Sequence, residues 1–235
     1  MLDDGLLNQF IQSFYGYGSF AAGTWFIGME ESGGESQDEV RRRLSAWQSR
    51  GAQELEDARA YHQALGMDQF FREPVQLQPT WAQLCRVALA AQGAPGDLEA
   101  IKAYQKEKLG RQDGETCLLA LLPLPTPGTD RWFYPHWSEL NFLASRSRYM
   151  EEVLPVRTQE LKRRLAQWQP RSVVFYGLMY REYWQAIAGV DFLRIDPQGF
   201  YLARKEGASY LVVQHPAAQG VSSRYFREAG RVLGL

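Results

Sequence analysis

Four short apolar runs, each stopped by glycine, proline or histidine, constrain this chain more than any other feature. They are T-W-F-I-G from Thr24, T-C-L-L-A-L-L-P from Thr116, S-V-V-F-Y-G from Ser172 and Y-L-V-V-Q-H-P from Tyr210. The second and third are continuous rather than alternating, which suits strands buried on both faces. Between the runs the apolar residues recur at helical spacing. Helices are expected over Leu6 to Phe14, near Gln37 to Gly51, through most of Ala52 to Gly110, over Leu154 to Gln167 with Pro155 in the first turn, over Tyr180 to Ala188, and at the end from S-S-R-Y-F-R-E. The second of these opens on S-Q-D-E, a Ser with Glu three residues later, which is a capping box. Two further strands are expected at Phe192 to Ile195 and Phe200 to Arg204, with P-Q-G and E-G-A turns around them.

Strands alternating with helices imply an α/β fold with a mainly parallel sheet covered on both faces. The segment from about residue 36 to 110 is then a helical insertion after the first strand. In such sheets ligands bind beyond the carboxyl ends of the strands. Three of those ends hold everything unusual here: G-M-E-E-S-G-G, L-L-P-L-P-T-P and Q-H-P-A-A-Q-G.

Several classes drop out. The two cysteines, Cys85 and Cys117, form no C-x-x-C pair, so neither a cysteine metal site nor a disulfide framework is expected. No histidine or carboxylate spacing suits a metal, and no cofactor is expected. A phosphate loop of the G-x-x-x-x-G-K type, a dinucleotide G-x-G-x-x-G after a strand and a G-x-S-x-G elbow are all missing. The N-terminus lacks the basic and apolar regions of a signal peptide, and the longest apolar run is too short to cross a bilayer. The expectation is a cytoplasmic protein with no membrane partner. The net charge of −1 supplies no global field for nucleic acid, so any such binding must rest on a local patch.

What the strand ends bring together is one carboxylate, Glu30 or Glu31, and one imidazole, His215. Glu31 also suits the helix N-terminus behind it, and His215 before a proline also suits an ordinary turn. As a pair they fit attack by water on a carbon whose leaving group departs as an anion. The carboxylate orients the water and steadies a cationic sugar, while the histidine meets the charge on the leaving group. N-glycosidic cleavage answers that description.

The order G-M-E-E after a strand, then L-L-A-L-L-P-L-P, then R-T-Q-E-L-K-R-R-L-A-Q-W-Q-P-R-S-V-V-F-Y-G, then V-V-Q-H-P-A resembles the uracil-DNA glycosylase superfamily. The likeness covers roughly residues 23 to 34 and 115 to 230 and leaves the insertion unexplained. It implies one glycosylase-like domain over residues 1 to 235, with a three-layer α/β/α sandwich and a short parallel sheet. It also implies a pocket for a base flipped from single- or double-stranded DNA, or for a nucleoside-like ligand. By position, Glu30 takes the place of the water-activating acid and His215 that of the histidine facing the base. Gly28, Met29, Glu31, Ala120 and Pro123 fall at the substrate pocket. Pro216, Ala217, Gln219 and Arg224 fall on the DNA side, with Arg227 nearby. The chain departs from the family in several places. Glu31 stands for a proline, Ala217 for a serine, and Gln219 lies near the place of a leucine wedge. Ala120 stands where uracil-excising members read the base with asparagine, and alanine makes no such hydrogen bond, so a changed specificity follows. The four cysteines of the iron–sulfur branches are absent.

Overall fold

The computed structural model describes residues 1–234. The chain opens with α1 (Asp4–Ser13), capped by the Asp3 carboxylate, followed by β1 (Gly16–Tyr17) and β2 (Thr24–Gly28). Four helices then follow, α2 (Gln37–Ser49), α3 (Ala58–Ala64), α4 (Pro79–Ala91) and α5 (Leu98–Glu107), with the two-residue strand β3 (Leu55–Glu56) before α3. The remainder comprises β4 (Thr116–Ala120), α6 (Arg146–Trp168), β5 (Ser172–Tyr176), α7 (Arg181–Ala188), β6 (Leu193–Ile195), β7 (Phe200–Lys205), β8 (Ala208–Val213) and α8 (Ser223–Gly234).

The fold is α/β, but its sheet is neither short nor mainly parallel. Eight strands join in the order β3-β1-β4-β2-β5-β8-β7-β6. The four apolar runs form the centre, β4-β2-β5-β8, all parallel. Trp25, Phe26, Ile27, Val173, Val174, Phe175, Leu211, Val212 and Val213 have no solvent exposure there, as burial on both faces requires. The edges are mixed for two local reasons. Strands β7 and β8 are joined only by Glu206 and Gly207, both at positive φ, and such a two-residue turn compels an antiparallel hairpin. On the other side β1 runs antiparallel to β4. Its approach is so close that a Cβ on Gly16 would lie 2.0 Å from the Leu118 carbonyl oxygen, which explains the glycine. The G-Y-G stretch is thus a strand in its own right, too short to carry a periodic pattern.

Helix α6 also differs from expectation. It begins at Arg146 rather than Leu154, because the Ser145 hydroxyl accepts from the Arg148 amide and Tyr149 and Val153 are already buried. Pro155 therefore sits inside the helix, on an exposed face. Half of the α2 cap is as read: the Ser36 hydroxyl accepts from the Glu39 amide, while the Glu39 carboxylate accepts from the Glu35 amide rather than from that of Ser36.

The insertion packs into the rest of the molecule. Helix α4 lies directly on α8, where a Cβ on Gly230 would come 2.3 Å from the Val87 carbonyl oxygen. Trp47, Tyr61, Trp81, Leu84 and Val87 share one hydrophobic cluster with the central strands. Among the described residues no helix is long and apolar enough to cross a membrane.

Candidate functional site

The carboxyl ends of β2, β4, β5 and β8 open into a cavity of ≈ 390 Å³. That volume lies within the range of small-molecule sites. Each strand end supplies a wall residue: Glu30 and Glu31 after β2, Ala120 at the end of β4, Tyr176 at the end of β5 and His215 after β8. Chain connections leave β2 toward β4 on one side and reach β5 and β8 on the other, so the cavity stands at the reversal of strand order.

The β2 end is held by backbone pairing that continues past the strand. Leu121, Leu122 and Thr126 amides donate to the carbonyls of Gly28, Met29 and Glu31. The proline-rich segment after β4 is buried rather than splayed. Tyr134 donates to the Pro125 carbonyl, and Leu124 donates to the Tyr149 hydroxyl. Arg157, buried on α6, donates to the carbonyls of Ala120 and Leu121 and lies 3.6 Å from the centre of the Tyr15 ring. The orphan carbonyls at the β4 end are satisfied from within the core.

The two adjacent glutamates have separate partners. Glu30 is bound by Arg146 of α6, whose Nη2 donates to both carboxylate oxygens at 2.7 and 3.0 Å. The pair is shielded, with Arg146 and Glu30 side chains 15 % and 12 % exposed. Burial raises the Glu30 carboxyl above its ordinary value, and the Arg146 charge opposes that rise. Glu31 accepts from the Tyr17 hydroxyl at 3.0 Å and from Arg43 of α2 at 3.2 Å. Arg43 also donates to Glu39 at 3.1 Å, so α2 is tied to the β2 loop by its side chains.

His215 is fixed in one tautomer. Its Nδ1 accepts from the Ala217 amide at 3.1 Å, which leaves the proton on Nε2 as a donor. Burial lowers its pKa, keeping the ring neutral. Tyr176 stands between β2 and β8 with its ring 5.7 Å from the imidazole, and its hydroxyl has no protein partner among the described residues. Burial raises the Tyr176 pKa, with Glu31 adding to the rise.

The other residues assigned from sequence divide. Gly28 faces Tyr176 rather than a ligand: a Cβ there would fall 2.2 Å from the ring. Met29 and Pro123 are buried outside the cavity wall. Pro216 is buried, Ala217 and Gln219 are exposed, and Arg224 is exposed but bound to Glu228 at 2.7 Å. The insertion contributes a wall that sequence reading did not assign, including His62, Phe70 and Trp81. Tyr176 carried a usable signal, since it is the last residue of an apolar run. Arg146 carried none once α6 was placed eight residues too late.

Among the described residues no group of three or more His, Cys, Asp or Glu side chains is arranged to hold a metal ion. No known protein family matches the chain, and no curated protein matches it.

Proposed function

We propose that the cavity takes a nucleobase flipped from DNA, and that the protein is an N-glycosidic hydrolase of the uracil-DNA glycosylase type acting in DNA repair. The observation that carries this reading is the convergence of Glu30 and His215 on one cavity, with Tyr176 between them. Water adds to the anomeric carbon and passes a proton to Glu30, while the glycosidic electron pair leaves on the base nitrogen. The Glu30 carboxylate steadies the cationic sugar, and the neutral His215 donates from Nε2 to the departing base. Ala120 offers no hydrogen bond to a base, so recognition differs from that of a uracil-specific enzyme. The reading carries with it a three-layer α/β/α arrangement around the central strands, and a cytoplasmic location.

The test is release of free base from uracil- or hypoxanthine-containing DNA, single- and double-stranded. Glu30→Gln and His215→Ala should each lower release by about 10²–10³-fold. Release that survives both substitutions removes these residues from the mechanism. A second reading, a base-binding module without cleavage, is favoured by the Arg146 bridge, which occupies both oxygens of Glu30. Salt-sensitive DNA affinity without base release would establish that reading instead.

A further inference from the structure

We propose that His62, supplied by the insertion, is the base-reading residue of this cavity, and that its ligand is a nucleobase presenting an N–H to it. The inference rests on the nucleobase reading of the site and deepens it. Apart from the Tyr176 hydroxyl and the His215 Nε2 donor, the buried polar groups that line the cavity are otherwise committed. Tyr17 and Arg43 hold Glu31, and the Thr126 hydroxyl donates to the backbone of its own loop. The acidic side chains are taken as well: Glu30 by Arg146, Glu31 by Arg43 and Tyr17, and Glu39 by Arg43. The Gln78 side-chain oxygen accepts from the Trp81 amide.

His62 is different. It is 5 % exposed, and its Nδ1 lies 2.7 Å from the Ala58 carbonyl oxygen. A carbonyl can only accept, so Nδ1 carries the proton and Nε2 presents a lone pair. No described residue donates to that lone pair, although the ring lines the cavity. The ring is braced by Trp81 at 4.9 Å and Tyr17 at 5.3 Å, so it is held rather than free to turn away. Burial lowers its pKa to about 4, which keeps the lone pair available at neutral pH. A lone-pair acceptor in the cavity wall matches a base edge that presents an N–H, such as the lactam edge of uracil or hypoxanthine. An unmet buried acceptor discriminates strongly against a ligand that cannot donate to it.

The chain has three histidines, so ¹⁵N-histidine labelling of the whole protein resolves each ring. 2′-Deoxyuridine and 2′-deoxyinosine should shift the His62 Nε2 resonance on binding. 3-Methyl-2′-deoxyuridine and 1-methyl-2′-deoxyinosine, whose one ring N–H is blocked, should bind at least about tenfold more weakly than 2′-deoxyuridine and 2′-deoxyinosine. His62→Phe, which keeps the aromatic packing, should abolish that preference, and His62→Gln, which keeps an acceptor, should preserve it. Equal binding of the methylated nucleosides, or no His62 shift with any of the four, overturns the proposal. Base release from DNA is scored separately. Binding through His62 without release would defeat the hydrolase reading alone, whereas equal release of uracil and 3-methyluracil would defeat this one alone.

Discussion

Arg146 Nη2 bridges the two carboxylate oxygens of Glu30, joining the first turn of α6 to the end of β2. Arg146 also donates to the Met150 sulfur, while its buried Nε has no partner. The guanidinium is therefore held mainly by Glu30. Removing one member of a shielded charge pair strands the other. Arg146→Met should destabilise the protein by about 1–3 kcal/mol, and combining it with Glu30→Gln should restore part of the loss. Urea unfolding of the four proteins measures the coupling. Strict additivity would mean that the pair does not form in solution.

Gly28 and Tyr176 make a second close fit across β2 and β5. Gly28→Ala places a methyl 2.2 Å from the ring, so the tyrosine, part of the cavity wall, must shift. A loss of about 1–3 kcal/mol is expected, with ligand binding impaired by the displaced ring. Adding Tyr176→Leu to Gly28→Ala should recover stability. A single Gly28→Ala variant as stable as the parent would show that the ring is not seated there.

Helix α4 and helix α8 meet at Gly230, where a methyl would press on the Val87 carbonyl. Gly230→Ala should lower the stability of the entire chain by about 1–3 kcal/mol while leaving one unfolding transition. Two separate transitions would show instead that the insertion unfolds on its own.

His62 sets a pH dependence whose sign is determined by its burial. Its folded pKa is lowered from 6.5 to about 4, so the folded state resists the proton that the unfolded state accepts. Its contribution is complete above pH 6.5 and is lost as pH falls toward about 4, up to about 3 kcal/mol. Glu30 and Glu31, raised by burial, act in the opposite sense: they favour folding at low pH and less so as pH rises above 4.5. Comparison with His62→Phe cancels those carboxylates. The stability difference between the two proteins should change across pH 6.5 to 4, and a constant difference would contradict the buried neutral ring.

Much of the fold was legible because its evidence is local. Phe26, Leu118, Val174 and Val212 lie in short unbroken apolar runs, and those runs became the parallel centre of the sheet. Ser36 and Glu39 are neighbours in sequence, so the start of α2 was readable. Gly16 and Tyr17 were not recognisable as a strand, because two residues hold no period and their pairing depends on Leu118, far along the chain. Pro155 read as a first-turn residue, when Ser145 begins the helix and the core on Tyr149 keeps it intact.

The sequence by itself determined that Glu30 and His215 would sit at strand ends, since each lies just past an apolar run, whereas the end of β4 at Ala120, inside its run, came from the fold. Only the tertiary structure decided which charges meet them. Arg146 reaches Glu30 across more than a hundred residues, while Arg43 and Tyr17 take Glu31, and His62 arrives from the insertion. Apolar patterning records whether a residue is buried. The partner of a buried charge depends on which helix packs over which strand end, and that is a property of the assembled fold.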